Sequence, residues 1–350
     1  MHSGGSRHAQ SHYDRPTLTD PVDARLLILI PIFEDWAAAA LLLVDLDRAL
    51  HEAQLRATVW LVDDGSMEPP DPAIGTRGYQ ALESIHVLAL RRNLGHQRAI
   101  AIGLAAAHEQ FRPTAVIVMD GDGQDAPNDV PRLVAALREC GGQKIIFGER
   151  RRRAEHAMFQ AFYTAYRWGH RLLTGLAVRV GNFSIVPAAQ LDRLVVVSEL
   201  WNHYAAAVFQ ARLPYENIPT RRLARLSGPS KMNFTALVSH GLRALSVHAE
   251  LIGVRLMVLT LLLVTVLTAA TLMVFGMWLM APSAVPAWAL SLTGVLALLL
   301  GQTVASAVVF VFLVLHGRSQ PLFIPIRDYV YFVKTLTSLS PAASTSARIG

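Results

Sequence analysis

The chain has 350 residues and a net charge of +6, with 52% of residues apolar and only 17% charged. That charge content is low for an average soluble globular protein, and the length is about that of two domains. A single cysteine, Cys140, excludes an internal disulfide and fits a reducing compartment. The pI of 9.8 does not by itself make a nucleic-acid binder, because much of the basic charge flanks apolar segments. Residues 1–24 are polar and lack an apolar core, so they read as a disordered tail and not as a signal peptide.

From Arg25 the pattern alternates. Continuous apolar runs at Arg25–Phe33, Ala57–Ser66, Ser84–Asn93, Thr114–Asp122 and Gln143–Arg150 read as strands. Helical spacing fills Trp36–Ala53, His96–Gln110 and Asn128–Glu139 between them. Strands that are apolar throughout, separated by helices, predict an α/β domain whose mainly parallel sheet is covered on both faces. The polar residues gather just past the ends of these strands: Pro31, Asp63 and Asp64, Asn93, then Asp120 and Asp122. Ligands of open α/β sheets bind at that edge.

The stretch VIVMDGDGQDAP, Val116–Pro127, aims several acidic side chains out of the end of a buried strand. Asp120 and Asp122 flank Gly121, so a tight bend turns both toward one point. Oxygen ligands of this kind suit a hard cation, Mg²⁺ or Mn²⁺, whose remaining positions a substrate's phosphates and waters fill. Such an ion neutralises charge on a leaving phosphate. The simpler alternative is a solvated acidic loop.

The C-terminal part is of another kind. Phe234–Leu256 is amphipathic and basic on its polar side, which suits the membrane interface. Leu256–Met280 and Ala287–Leu315 carry no charge, and each exceeds the roughly 20 residues needed to cross a bilayer. The short joint Ala281–Ala287 makes them a transmembrane hairpin. Arg243 and Arg255 precede it, and His316, Arg318, Arg327 and Lys334 follow it. By the positive-inside rule both flanks, and with them the N-terminal domain, are cytoplasmic. The expected organisation is therefore a tail at 1–24, an α/β domain at 25–232, an interfacial helix at 233–255, two spans at 256–315 and a cytoplasmic tail at 316–350. For PLFIPIRDYVYFV, Pro321–Val333, the reading is an interfacial amphipathic segment.

Taken in order, IPIFED, VDDGS, RNLGHQRAIAIGL, MDGDGQDAP, GER and RLSGPSK resemble the family 2 glycosyltransferases of the GT-A fold. Within these the chain is most similar to polyprenyl-phosphate glycosyltransferases of the dolichyl-phosphate mannose synthase and undecaprenyl-phosphate glucosyltransferase type. The resemblance covers roughly Arg25–Leu315. It implies a nucleotide-sugar donor, UDP- or GDP-linked, a divalent Mg²⁺ or Mn²⁺, and a polyprenyl phosphate acceptor. It implies an inverting transfer at the inner, cytoplasmic membrane, and it leaves homo-oligomerisation open. Pro31, Asp63, Asp64 and Asp120 would line the nucleotide-sugar pocket. Asp120, Asp122 and Gln124 match the metal-binding D-x-D-x-Q. Arg225, Ser230 and Lys231 match R-x-x-G-x-S-K, which faces the acceptor phosphate. The residues expected to carry catalysis are Asp122, Arg150, Arg225 and Lys231.

A phosphate acceptor is already ionised and needs no strong base, whereas two anionic partners need cations; arginine's fork suits phosphate. The simpler alternatives are a membrane-facing basic patch for Arg151, Arg152 and Arg153, and a juxtamembrane charge for Lys231. The sequence departs from the family's pattern in three places: Glu34-Asp35 after Pro31, Gly121 between the aspartates, and Asn182 in GNFSIVP where relatives have an aspartate. These departures keep open a family 2 transferase acting on another lipid or saccharide, and a non-catalytic membrane scaffold.

Overall fold

The computed structural model of the chain describes residues 24–150, 180–227, 246–247, 249–280, 286–318 and 323–339. One compact unit gathers the N-terminal domain with residues 323–339, and a second contains the two long C-terminal helices.

The first unit is built on an eight-stranded sheet of order β7-β5-β6-β4-β1-β2-β3-β8. In chain order its elements begin β1 (Leu26–Ile32), α1 (Trp36–Glu52), β2 (Ala57–Asp63), α2 (Pro72–Thr76), β3 (Leu82–Leu90) and α3 (His96–Ala106). A π-turn at Ala107–Phe111 then leads to β4 (Ala115–Val118), α4 (Val130–Glu139) and β5 (Ile145–Arg150). The second half brings β6 (Val180–Pro187), α5 (Ala188–Leu194), α6 (Tyr204–Gln210) and β7 (Tyr215–Thr220). β4, β1, β2 and β3 run parallel, as do β5 and β7, while β6 is antiparallel to both of its neighbours. Every residue of β1, β2 and β4 is buried, as expected for strands covered on both faces. α3 and α6 lie over one face, with Leu29, Val62 and Phe147 beneath them. α1 and α4 cover the other, over Ile28, Ile30 and Ile117.

Each strand and helix expected within the α/β domain is present, with ends shifted by a few residues. The helix expected to run to Gln110 leaves the α form at Ala106, in the π-turn that closes with Arg112 in the left-handed region (φ 53°). Three strands had not been anticipated. β7 carries Pro219 and is largely exposed, and β8 (Val333–Ser338) has only Val333 and Leu336 apolar among polar, mostly exposed residues. Both are edge strands, which need no apolar run.

β8 corrects the reading of residues 316–350 as a tail, for the described residues 323–339. After α9 (Pro325–Asp328) and a 3-10 turn at Tyr329–Tyr331, the chain joins the sheet antiparallel to β3. Tyr329 enters the core, and Trp201 packs against Phe323 and Phe332 at 3.8 and 5.1 Å between ring centres.

The second unit contains α7 (Ala249–Met280) and α8 (Ala287–Arg318), 32 residues each, which lie against one another. Leu251–Met280 and Ser291–Leu313 are long and apolar enough to cross a membrane. Thr265, Thr271, Thr293 and Thr303 each donate a hydroxyl to the carbonyl four residues earlier. Their polar groups are therefore satisfied without water. The expected interfacial helix falls largely outside the described residues.

α3 approaches the sheet at Gly103, where an added Cβ would meet Leu29 Cδ1 at 2.6 Å and Val62 Cγ2 at 2.8 Å. Gly103→Val overpacks this contact, and a loss of about 1–3 kcal/mol is expected. A lowered melting temperature of the purified protein in detergent checks this.

Candidate active site

The crevice opens where β1 and β4 part. β4 ends at Val118 opposite Leu29, and Met119 N–H donates to the Leu29 carbonyl. Two residues on, Pro31 lies on the same flank of β1, because successive residues alternate sides. Its missing N–H therefore costs no ladder bond. The chain after β4 folds over this gap: an added Cβ on Gly121 would sit 3.0 Å from the Pro31 carbonyl oxygen. Gly123 is required for two reasons. Its φ is +77°, and a Cβ there would lie 2.4 Å from the Leu226 side chain.

The paired aspartates after β2 shape the walls. Asp63 accepts from Ser66 N–H at 2.9 Å. Asp64 is buried, and its two oxygens accept from Leu94 and Gly95 N–H at 2.7 and 2.8 Å. Burial pushes its pKa up, against those two hydrogen bonds. Asp64 thus clamps the loop that starts α3, and this clamp brings His96 to the crevice.

A buried polar relay stands behind the acidic loop. The Tyr204 backbone N–H can only donate, so the Gln97 atom facing it, 2.8 Å away, is Oε1. Gln97 Nε2 then donates to Asn182 Oδ1 at 3.0 Å. This leaves Asn182 Nδ2 facing the crevice, 3.3 Å from Asp120 Oδ1 and 2.9 Å from His96 Nε2. His96 Nε2 is itself 3.1 Å from Asp120 Oδ1. Burial disfavours a charged imidazole, but Asp120, with Asp122 and Asp125, outweighs it and raises the His96 pKa. His96 Nε2 serves one partner at a time: protonated, it donates to Asp120 Oδ1; deprotonated, it accepts from Asn182 Nδ2.

On its other side the loop is zippered to residues 221–227. Leu223 N–H donates to the Gln124 carbonyl at 2.9 Å and Leu226 N–H to the Asp122 carbonyl at 3.1 Å. Asp125 bridges to Arg222, and Arg222 Nη2 donates to Gln124 Oε1 at 2.7 Å. Arg225 donates to Asp35 and lies 3.6 Å from Asp122 Oδ2. A guanidinium therefore sits between carboxylates from the β1–α1 loop and the β4 loop, only partly exposed.

Pro31, Asp63, Asp64, Asp120, Asp122, Gln124 and Arg225 all lie along this edge of the sheet. Arg150 ends β5, in register with Thr220. Ser230, Lys231 and Arg151–Arg153 fall outside the described residues. Gln124, expected as a metal ligand, has its amide oxygen on Arg222. The residues not singled out beforehand as site residues are Asp35, His96, Gln97, Asn182 and Arg222. Gln97 was visible within GHQRA, but no pattern showed that its partner would be the backbone of a helix more than a hundred residues away.

The donors suit a hard divalent ion in one respect. Asp120 and Asp122 are partly exposed carboxylates on one bend. No group of three or more His, Cys, Asp or Glu able to hold a metal is found among the described residues. The arrangement fits an ion of the magnesium type, shared with a substrate's phosphates, and not an all-protein cage.

Residues 27–187 match the family described as glycosyl transferase family 2. The undecaprenyl-phosphate 4-deoxy-4-formamido-L-arabinose transferase of Klebsiella pneumoniae is 28% identical over 234 residues, covering 63% of this chain and 67% of that protein. The Pseudomonas aeruginosa enzyme of the same description is 30% identical over 45% of this chain and 42% of its own length. The dodecaprenyl-phosphate galacturonate synthase of Rhizobium johnstonii is 31% identical over 34% of each. The chain thus matches less than half the length of the latter two relatives. Among solved structures, Mycobacterium tuberculosis glucosyl-3-phosphoglycerate synthase, in complex with Mn²⁺, UDP-glucose and phosphoglyceric acid, has a TM-score of 0.48 at 14% identity, covering 69% of this chain and 86% of that one.

Asn182→Asp tests the relay. The new carboxylate still accepts from Gln97 but turns an acceptor toward Asp120. Losing a charge-assisted donor and adding a like charge is expected to cost about 2 kcal/mol, roughly 30-fold in binding of nucleoside diphosphate with Mn²⁺ by calorimetry. Near-unchanged affinity would contradict the relay's role.

Proposed function

We propose that this chain, a glycosyltransferase by its family 2 domain, moves a sugar from a nucleoside diphosphate to a polyprenyl phosphate at the cytoplasmic face of the inner membrane. The observation that carries this reading is Arg225, held between Asp35 and Asp122 at the acidic bend after β4. Cation and carboxylates together suit a reaction in which two anionic phosphates must be brought side by side. The names of the relatives add the acceptor class, because undecaprenyl and dodecaprenyl phosphates are both polyprenyl phosphates.

The chemistry follows from the charges. The acceptor oxygen is ionised at neutral pH and needs no strong general base. Asn182, in the position where relatives carry an aspartate, is consistent with a site that removes no proton. Attack on the anomeric carbon from the face opposite the leaving diphosphate inverts the centre in one displacement. In this reading Arg225 releases its carboxylates and takes phosphate oxygens bidentately. Arg150, Ser230 and Lys231 complete the assignment as further phosphate ligands. Pro31, Asp63 and the loop clamped by Asp64 bound the nucleotide pocket. A bound Mg²⁺ or Mn²⁺, held by Asp120 and Asp122, would neutralise charge developing on the leaving diphosphate. The two apolar helices, as a membrane hairpin, keep the domain where a polyprenyl lipid resides.

The test uses full-length protein in nanodiscs with undecaprenyl phosphate, Mn²⁺ and a panel of UDP- and GDP-sugars, read by mass spectrometry of the lipid. A metal-dependent glycolipid is expected. Nucleotide release with no glycolipid would overturn the acceptor assignment. Asp122→Ala is expected to lower turnover by about two orders of magnitude or more, the scale on which removal of a charge-stabilising group acts. Arg225→Lys keeps the charge but loses the fork, and a drop of roughly tenfold in kcat/KM is expected from one weakened charged hydrogen bond.

A further inference from the structure

The chain from Phe323 to Phe332 places an apolar, aromatic face at the same edge of the sheet as the candidate site. Arg327, Val330 and Tyr331 are spaced i, i+3, i+4 along the turn from α9 through Tyr331, and all three point outward; Val330 is 51% and Tyr331 72% exposed. Tyr329, between them, is buried and fixes the turn to the core. The patch extends across Val195, whose carbonyl accepts from Ile326 N–H at 3.0 Å, to Val196, 54% exposed. Trp201 and Phe323, with ring centres 3.8 Å apart and planes tilted by 32°, continue it.

Basic groups surround these side chains. Arg98 lies over the Trp201 ring at 4.8 Å. Arg91, whose N–H donates to the Phe332 carbonyl, and Arg92 and Lys334 are exposed nearby. Arg327 is paired with Asp328, and Glu199 is the other carboxylate in the neighbourhood. Cations outnumber anions on this face. Aromatic rings mixed with arginine and lysine are the composition of a membrane–water interface.

Covalent reach supports the same partner. α8 ends at Arg318, and Phe323 follows five residues later, a link that spans at most about 18 Å. If α8 crosses a bilayer, as the proposed function holds, Phe323 lies within that distance of its end. We propose that Val196, Trp201, Phe323, Val330 and Tyr331 rest in the headgroup layer of an anionic leaflet. β3 ends beside Phe332, and the clamped loop to His96 begins just after it. Seating this face on lipid therefore turns the crevice edge of the sheet toward the membrane, where a polyprenyl phosphate headgroup is presented. The orientation rests on the proposed function; the lipid contact does not require turnover to be observed.

The test replaces Cys140 with Ser in the full-length chain and introduces Tyr331→Cys or, as a control, Glu52→Cys. Glu52 is exposed at the end of α1, at the opposite edge of the sheet. Each variant carries an environment-sensitive fluorophore in nanodiscs containing phosphatidylglycerol and nitroxide-labelled lipid. The expected result is a blue-shifted label at 331, quenched several-fold more than the label at 52. Equal quenching at the two positions would overturn the proposal. So would a label at 331 shielded from both lipid nitroxide and aqueous iodide, which would assign the face to a second copy of the chain. Val330→Glu with Tyr331→Glu is expected to reduce quenching of a label at Val196→Cys while leaving Mn²⁺-dependent nucleotide binding unchanged. Quenching that survives this pair would also contradict the proposal. Strong quenching with no glycolipid formed from any donor would leave the lipid contact standing and remove the polyprenyl reading alone.

Discussion

The crowding of carboxylates at the end of β4 is the constraint around which the site is arranged. Asp120, Asp122 and Asp125 occupy a single bend, and Asp35 faces it from the β1–α1 loop. Two like charges about 4 Å apart repel by roughly 4 kcal/mol at an effective dielectric near 20, a large fraction of the stability of a domain. The fold answers with donors from several separate places. His96 and Asn182 reach one oxygen of Asp120, the Asp120 backbone N–H reaches Asp125, and Arg225 lies between Asp35 and Asp122. Most of these partners are brought in by long-range packing, so the bend holds its shape only when the sheet around it is complete.

Two structural devices bring them there. Asp64 fixes the start of α3 through two backbone amides, and α3 then carries both His96 and Gln97. Gly103 lets the same helix lie close on Leu29 and Val62, next to the strand end that forms the crevice. On the far side, residues 221–227 follow the loop with backbone hydrogen bonds that orient Arg225. An arginine held by carboxylates has less freedom to lose when it takes a phosphate oxygen than one free in solvent. This links the stability of the acidic bend to its proposed use.

Much of this was legible in the sequence. Apolar runs such as RLLILIPIF announce central strands because both faces are buried, and their polar ends mark the ligand edge. Asp120 and Asp122 stood out because acidic residues rarely end a buried strand without purpose. The unread parts have physical reasons. β7 and β8 lie at the edges of the sheet, where polar and apolar residues mix and no periodicity distinguishes them from loop. Pro321–Val333 resembles an amphipathic membrane segment because it has the composition of one: Tyr329 and Phe332 face the core while Val330 and Tyr331 face outward. Asn182 registered as a departure from a family pattern. Its orientation became apparent only when Tyr204 N–H was found to set the direction of Gln97. Gln124, expected on a metal, is turned to Arg222, a residue almost a hundred positions away.

The account centres on a carboxylate bend that needs a cation shared with phosphate. The most direct measurement is calorimetric titration of the full-length protein with UDP and with GDP, in the presence and absence of Mn²⁺, repeated with Asp122→Asn. The account predicts that one nucleotide binds tightly with the ion and weakly without it, and that the variant loses this dependence. Tight nucleotide binding that ignores both the ion and the substitution would contradict it.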